Sequence, residues 1–79
     1  MKKEGDKVVI RDEEWFKGQK KTMGGVVEID PYTVMTKKMQ PFMGMEATIV
    51  EVNPIDGKTV HYKLDVDQGN WNWSEGMFV

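Results

Sequence analysis

Few side chains in this sequence have the chemistry and spacing of a catalytic group. His61 is the only histidine and cysteine is absent, so a nucleophile activated by histidine would be a hydroxyl nearby in sequence, Thr59 or Ser74. Neither lies in a Gly-x-Ser-x-Gly segment, the strained turn that exposes the catalytic serine of many hydrolases. His61 also falls on the polar face of an alternating strand, which predicts a solvated side chain. We therefore expect no catalytic residue and a protein that is not an enzyme.

Acidic residues near the end of the chain are the remaining candidates for chemistry. Asp65 and Asp67 form a carboxylate pair that could share a proton, but both fall on the outward strand face, where such pairs are hydrated. The segment Asp65–Asn70 also resembles part of a calcium loop, which needs Asp or Asn at alternate positions, a central glycine and a final Glu. Here Gly69 comes one position early and Gly76 stands in place of the Glu. A hairpin turn is the better interpretation, and we expect no metal and no cofactor.

Aromatic side chains are the strongest candidates for binding, because Trp and Tyr are enriched in interface hot spots. We predict that an exposed aromatic patch binds a protein or peptide partner. The residues of this patch are Trp15, Phe16, Trp71 and Trp73. The interior of a small barrel is too narrow for both indoles of the Trp71-Asn72-Trp73 segment. We therefore expect one of these two indoles in the core and the other partly exposed beside Trp15 or Phe16.

Length and composition limit the possible classes of protein. Seventy-nine residues make one domain, residues 1–79, with no room for a second. The longest runs of apolar residues span three positions, whereas a membrane-spanning helix needs about 20, so we expect no membrane contact and no export signal. The absence of cysteine suits the reducing cytoplasm.

Two alternatives to a protein or peptide partner remain. The first is a nucleic-acid-associated barrel that acts through loop lysines. These lysines are Lys17, Lys20, Lys21, Lys37 and Lys38. The net charge of −2 and the acidic triplet Asp12–Glu14 beside the first three lysines disfavour nucleic acid as a partner. The second alternative is a structural, self-assembling subunit whose exposed apolar surface forms a homo-oligomer interface.

The elements that must position these residues are mainly short strands. Lys7–Arg11 and Glu46–Val52 are rich in β-branched residues, and Asn53–Gly57 forms the turn after the second of them. Thr59–Asp67 alternates strictly between apolar and polar residues, which places the two sets on opposite faces. The inward residues are Val60, Tyr62, Leu64 and Val66, and the outward ones are His61, Lys63, Asp65 and Asp67. We expect about five antiparallel strands, with one 3₁₀ turn at Ser74–Gly76.

The middle of the chain predicts a long loop with a helix in it. Residues 12–21 are mostly polar and are predicted to form loop, followed by a short strand at Val26–Ile29. The pair Asp30-Pro31 is typical of a helix start, with Asp as N-cap and Pro at the first helical position. The helix would present one apolar face and end at Pro41. The residues of this face are Tyr32, Met35, Met39 and Phe42.

The order of these elements resembles the SH3-like barrel. The resemblance is carried by Gly5–Val8, by Gly44 with Ala47–Ile49, and by the tail that contains Leu64–Asp67, Trp71, Trp73, Met77 and Phe78. With this skeleton the chain is similar to small uncharacterised SH3-like barrel proteins of bacteria and their phages. The resemblance implies an antiparallel barrel whose last strand pairs with the first, with a short helix inserted in the long loop after the first strand. It implies no polyproline recognition, because no segment like the "ALYDY" motif is present.

Overall fold

The computed structural model describes residues 1–79 and consists mainly of short antiparallel strands joined by turns and short helices. In chain order the strands are β1 (Lys7–Val9), β2 (Val27–Asp30), β3 (Thr33–Met35), β4 (Glu46–Pro54) and β5 (Val60–Leu64). β1, β4 and β5 form a three-stranded sheet in the order β1-β4-β5, and β2 pairs with β3 in a separate hairpin. Every pairing is antiparallel, which confirms the mainly β class.

The end of the chain contacts both edges of the three-stranded sheet. Phe78 forms a bridge with Ile10, just beyond β1, and Trp73 forms a bridge with Tyr62 of β5. The backbone N–H groups of Tyr62 and Trp73 each donate to the other's carbonyl, at 2.7 and 3.0 Å. The 3₁₀ helix Glu75–Met77 connects these two contacts, as the sequence predicts. The hydrogen-bonded strands still form two separate sheets and not one closed barrel.

An α-helix lies where the sequence analysis predicted only a polar loop. This helix, α1, spans Glu13–Gly18 and begins at Asp12, whose side chain accepts the backbone N–H of Trp15 at 2.8 Å. Asp is a preferred N-cap, and Glu13 and Glu14 in the first turn suit the positive end of the helix dipole. These three acids therefore mark a helix start, and the prediction of loop at these positions was wrong. Because six residues make no stable helix alone, α1 depends on its tertiary contacts.

The helix predicted to start at Asp30-Pro31 does not exist. Oδ1 of Asp30 accepts the N–H of Tyr32 at 2.9 Å, which closes a tight turn between β2 and β3. The β-branched residues that follow this turn form β3, because branching at Cβ favours extended backbone. Helical backbone begins only at Lys37, in a 3₁₀ helix that ends at Phe42.

The core lies where the three-stranded sheet, the β2–β3 hairpin, α1 and the C-terminal segment meet. Its thirteen buried apolar residues are Val8, Ile10, Phe16, Val27, Met35, Met39, Ala47, Ile49, Tyr62, Leu64, Trp73, Met77 and Phe78. Tyr62 and Leu64 are both 0% exposed, as the alternating pattern predicts, and Lys63 and Asp65 lie outside the core. Val60 and Val66 are only half-buried. Val66 lies beyond the end of β5 at Leu64 and belongs to the following turn. No helix of the structure has the length and apolar character needed to cross a bilayer.

Candidate functional site

The four residues of the predicted aromatic patch do not form one exposed surface. Phe16 is 1% exposed and Trp73 is 0% exposed, so both are core residues. Trp15 and Trp71 are partly exposed, but they line different grooves that have no residue in common. Neighbours on a helix point about 100° apart, so α1 buries Phe16 while Trp15 stays near the surface. These burial values agree with the expectation that one indole of the Trp71/Trp73 pair is buried and the other partly exposed. The exposed indole, Trp71, shares no groove with Trp15 or Phe16, contrary to the second part of that expectation.

Asp67 determines how this pair of indoles is arranged. Its side chain is 5% exposed, and Oδ2 accepts the indole Nε1–H of Trp73 at 3.1 Å and the backbone N–H of Trp71 at 2.9 Å. Oδ1 accepts the N–H of Gly69 at 3.2 Å. The prediction that Asp67 is an outward, hydrated residue was therefore wrong. The strand alternation stops at Leu64, and the turn that follows brings Asp67 back under the indoles.

Trp71 forms a ridge between two grooves. The larger groove, about 450 Å³, lies between the indole, the Gly24-Gly25 turn and the Lys37-Lys38 pair. The smaller groove, about 170 Å³, lies on the other side, against Tyr32 and Val34 of the β2–β3 hairpin. The backbone of Trp71 is held by the hydrogen bond from its N–H to Asp67, and its side chain packs against the core. A fixed aromatic surface of this kind offers contact area at a small cost in conformational entropy.

The larger groove, which we call the Trp71 groove, has a positive wall and no acidic side chain in its lining. Lys37 and Lys38 are exposed, and neither belongs to either of the two salt bridges of the structure. Two other lysines of the predicted basic set are already engaged. Lys17 pairs with Glu13 at 3.6 Å, and the Nζ of Lys21 donates to backbone carbonyls at the end of α1. Among the lysines of the predicted basic set, the two without a partner that lie beside an aromatic ring are therefore Lys37 and Lys38, at the Trp71 groove.

His61 is buried and not solvated, which corrects the prediction from strand alternation. It is 8% exposed, and its Nε2 is 2.8 Å from the Oγ1 of Thr33, which joins β5 to the β2–β3 hairpin. The hairpin covers the sheet face that the sequence alone assigned to solvent. Thr33 is 5% exposed and lines the smaller groove beside Trp71, whereas His61 lines neither that groove nor the four others. This hydroxyl–imidazole pair lies at the junction of the hairpin and the sheet. Its evident role is to hold the hairpin on the sheet.

Asp30 completes this buried polar contact. Desolvation raises the pKa of its carboxyl. A backbone hydrogen bond from Tyr32, the hydroxyls of Thr33 and Ser74 and the charge of His61 lower the pKa, and together they outweigh the desolvation. The pKa therefore lies below its ordinary value. The Oγ of Ser74 has no partner within strict hydrogen-bond geometry, so its effect on Asp30 is that of a nearby dipole. The carboxylate is therefore stabilised in its charged form where hairpin and C-terminal segment meet.

Arg11, Lys21 and Asp67 are residues whose roles the sequence analysis missed. The capping role of Lys21 could have been inferred from α1, since a cation just past a helix end suits the last carbonyls. An Asp two residues before a glycine, as in Asp67-Gln68-Gly69, is also a recognised turn signal.

No group of three or more His, Cys, Asp or Glu residues is placed to hold a metal ion. No protein-family model, no curated protein and no solved structure matches this chain.

Proposed function

We propose that this protein is a non-catalytic module that binds an acidic segment of a partner polypeptide in the Trp71 groove. The observation that carries the proposal is the partly exposed indole of Trp71, packed against the core, beside the unpaired charges of Lys37 and Lys38. An indole in such a groove offers apolar contact area, and interface hot spots are rich in Trp. Lysines at its margin attract Asp and Glu and exclude basic partners. An acidic segment with an interspersed apolar side chain satisfies both parts of the surface.

We also propose that the architecture is a variant of the SH3-like barrel. The support is the path of the C-terminal segment, which pairs with β5 at Trp73 and with the residue after β1 at Phe78. A segment that contacts both outer strands brings the two edges of the sheet towards each other, and small antiparallel domains protect their edges in this way. The likeness to bacterial and phage barrel proteins stays a prediction from the sequence.

Single-stranded nucleic acid is the second candidate ligand for the same groove. Aromatic side chains that stack on bases, flanked by cations that contact phosphates, are the usual elements of such sites. The combination of Trp71 with Lys37 and Lys38 is the observation in its favour. The net charge of −2 and the engagement of Lys17 and Lys21 within α1 weigh against it, because they leave little further positive charge. We therefore rank it below an acidic polypeptide.

The proposal is tested by NMR titration of the ¹⁵N-labelled protein, whose three tryptophans give three separate indole N–H signals. The probes are a peptide of Glu and Leu residues, a matched peptide of Lys and Leu residues, and a short oligothymidylate. We expect the acidic peptide to shift the Trp71 signal, more strongly at low salt, while the signal of the buried Trp73 moves little. A double charge reversal, K37E/K38E, should abolish this shift, and K58E, outside the groove, should not.

Three outcomes would overturn the proposal. Binding of oligothymidylate without binding of the acidic peptide would assign the groove to nucleic acid. Equal responses to the acidic and the basic peptide would show that the lysines do not select the partner. No response to any probe, together with a molar mass that rises with protein concentration, would favour the self-assembling subunit.

A further inference from the structure

Arg11 is a cation that stacks on an aromatic ring and has no ion-pair partner. Its guanidinium carbon lies 5.1 Å from the centroid of the Trp15 ring, in a cation–π contact. Its Nε is buried and has no hydrogen-bond partner, and Arg11 takes part in neither of the two salt bridges. A buried polar group without a partner is costly and uncommon in folded proteins. The Nε–H of this side chain therefore has hydrogen-bonding capacity that no group of the structure uses.

The acids next to Arg11 in sequence are used elsewhere. The side chain of Asp12 accepts the N–H of Trp15 as the N-cap of α1. Glu13 pairs with Lys17 at 3.6 Å and accepts a hydrogen bond from the Nε2 of Gln40 at 3.1 Å. These contacts engage Asp12 and Glu13 outside any ion pair with Arg11, but a hydrogen bond does not cancel the charge of a carboxylate.

Arg11 and Trp15 line one groove, which we call the Arg11 groove. It has a volume of about 350 Å³, and its other walls include the apolar side chains of Val9 and Val79. Both valines are exposed, at 42% and 79%. Gly44, with φ +83°, forms part of the wall and places no side chain in the space. The groove therefore combines one cation, one indole and exposed apolar surface.

We propose that the Arg11 groove binds the C-terminal residue of a partner polypeptide, with the terminal carboxylate on Arg11 and an apolar side chain against Val9, Val79 and the indole. A guanidinium binds a carboxylate through two parallel hydrogen bonds and stacks on aromatic rings, so one residue can do both. A terminal residue carries its carboxylate and its side chain on the same carbon, which matches the adjacent cation and apolar walls. A Glu or Asp side chain would supply the charge without the apolar group.

The size and charge of the Arg11 groove support this occupant. A volume of about 350 Å³ is near the lower end for ligand sites, which suits one residue and not a long segment. The carboxylate of Asp12 also borders the groove, so a dianion such as phosphate meets repulsion that a singly charged carboxylate meets less strongly. Because this groove and the Trp71 groove share no lining residue, the inference does not depend on the proposed function.

The test compares two forms of one peptide on the unmodified protein. The probe is an N-acetylated peptide of Gly and Ser residues ending in Leu, with either a free C-terminal carboxylate or a C-terminal amide. We expect the free acid to shift the indole N–H signal of Trp15, and the amide to bind at least about tenfold more weakly, because the charge-assisted pair is lost. The signals of Trp71 and Trp73 should stay in place, which separates this groove from the other and reports an intact fold.

Substitutions of Arg11 test the same charge-assisted pair by changing the protein in place of the peptide. R11Q should weaken binding of the free acid by about tenfold or more, and R11K should retain part of the affinity, because it keeps the charge but not the paired hydrogen bonds. Inorganic phosphate should cause no shift of Trp15. Equal binding of acid and amide would overturn the proposal. The acid–amide comparison stands even if R11Q fails to fold.

Discussion

The indole of Trp73 donates its Nε1–H to the carboxylate of Asp67 across 3.1 Å, in a part of the core where both residues are almost fully buried. The same carboxylate accepts the backbone N–H of Trp71, so one acidic side chain places one indole in the core and its neighbour at the surface. A buried carboxylate is tolerated only when its oxygens are bonded, and here the bonds from Gly69, Trp71 and Trp73 satisfy it. Core stability and presentation of the binding surface are therefore linked through Asp67.

Removing this carboxylate should destabilise the fold. D67A leaves the Nε1–H of Trp73 buried without a partner, and we expect a loss of about 3 kcal/mol in the free energy of unfolding. D67N keeps one acceptor oxygen and should lose less. Urea unfolding measures both, with E14A, an exposed residue of α1, as the control that should change little. A D67A variant as stable as E14A would show that the hydrogen bonds to the indole pair contribute little.

The two indoles should differ sharply in their contribution to stability. W73A removes a side chain with 0% exposure and should cost about 3–5 kcal/mol. W71A removes a partly exposed ring and should cost about 1 kcal/mol or less, while it abolishes binding of the acidic peptide. Urea midpoints and the peptide titration check the two halves of this prediction. Large, equal losses of stability would show that both residues act as core residues, and would remove the main support for binding at the Trp71 groove.

Lys21 should stabilise α1 through its position at the end of the helix. Its Nζ donates to the carbonyl oxygens of Phe16 at 2.6 Å and Gln19 at 3.0 Å, and it lies 4.7 Å from the centroid of the Phe16 ring. K21M removes these polar contacts and should cost about 1 kcal/mol. K20M, in which the neighbouring exposed lysine is replaced, is the matched control. Equal urea midpoints for the two variants would contradict a capping role.

Acid should destabilise the protein partly through Asp30. Its pKa is lowered in the folded state, so its contribution to stability is complete above the unfolded-state value of 3.8 and is lost as the pH falls through the folded-state pKa. Asp56 acts in the same direction, because its carboxylate accepts the backbone N–H groups of Lys58 and Thr59. Urea unfolding measured from neutral pH down through this window should show a smaller loss for D30N than for the unmodified chain. Parallel pH profiles would show that Asp30 does not contribute to acid sensitivity.

Local signals in the sequence were sufficient for β1, β2, β4 and β5, but not for β3, whose residues were predicted to be helical. The strict alternation around Tyr62 and Leu64 predicts a half-buried strand, because side chains of a strand point to opposite faces in turn. β-branched residues in Glu46–Pro54 predict β4 in the same way. The start of α1 was also present in the sequence as Asp12 followed by two acids, although it was misinterpreted. Composition and periodicity thus determined the mainly β class, because they act within a few neighbouring residues.

Only the tertiary structure decided which side of each strand and turn is covered. His61 and Asp67 both lie at polar positions of the alternation, yet both are buried. The hairpin of β2 and β3 covers His61, and the indole of Trp73 bonds to Asp67. Alternation assigns faces but cannot tell whether a second layer lies over the polar face. In the same way Arg11 has no ion-pair partner, because Asp12 and Glu13 beside it in sequence make their contacts within α1 and with Gln40. These outcomes depend on contacts between residues far apart in the chain, which local periodicity does not encode.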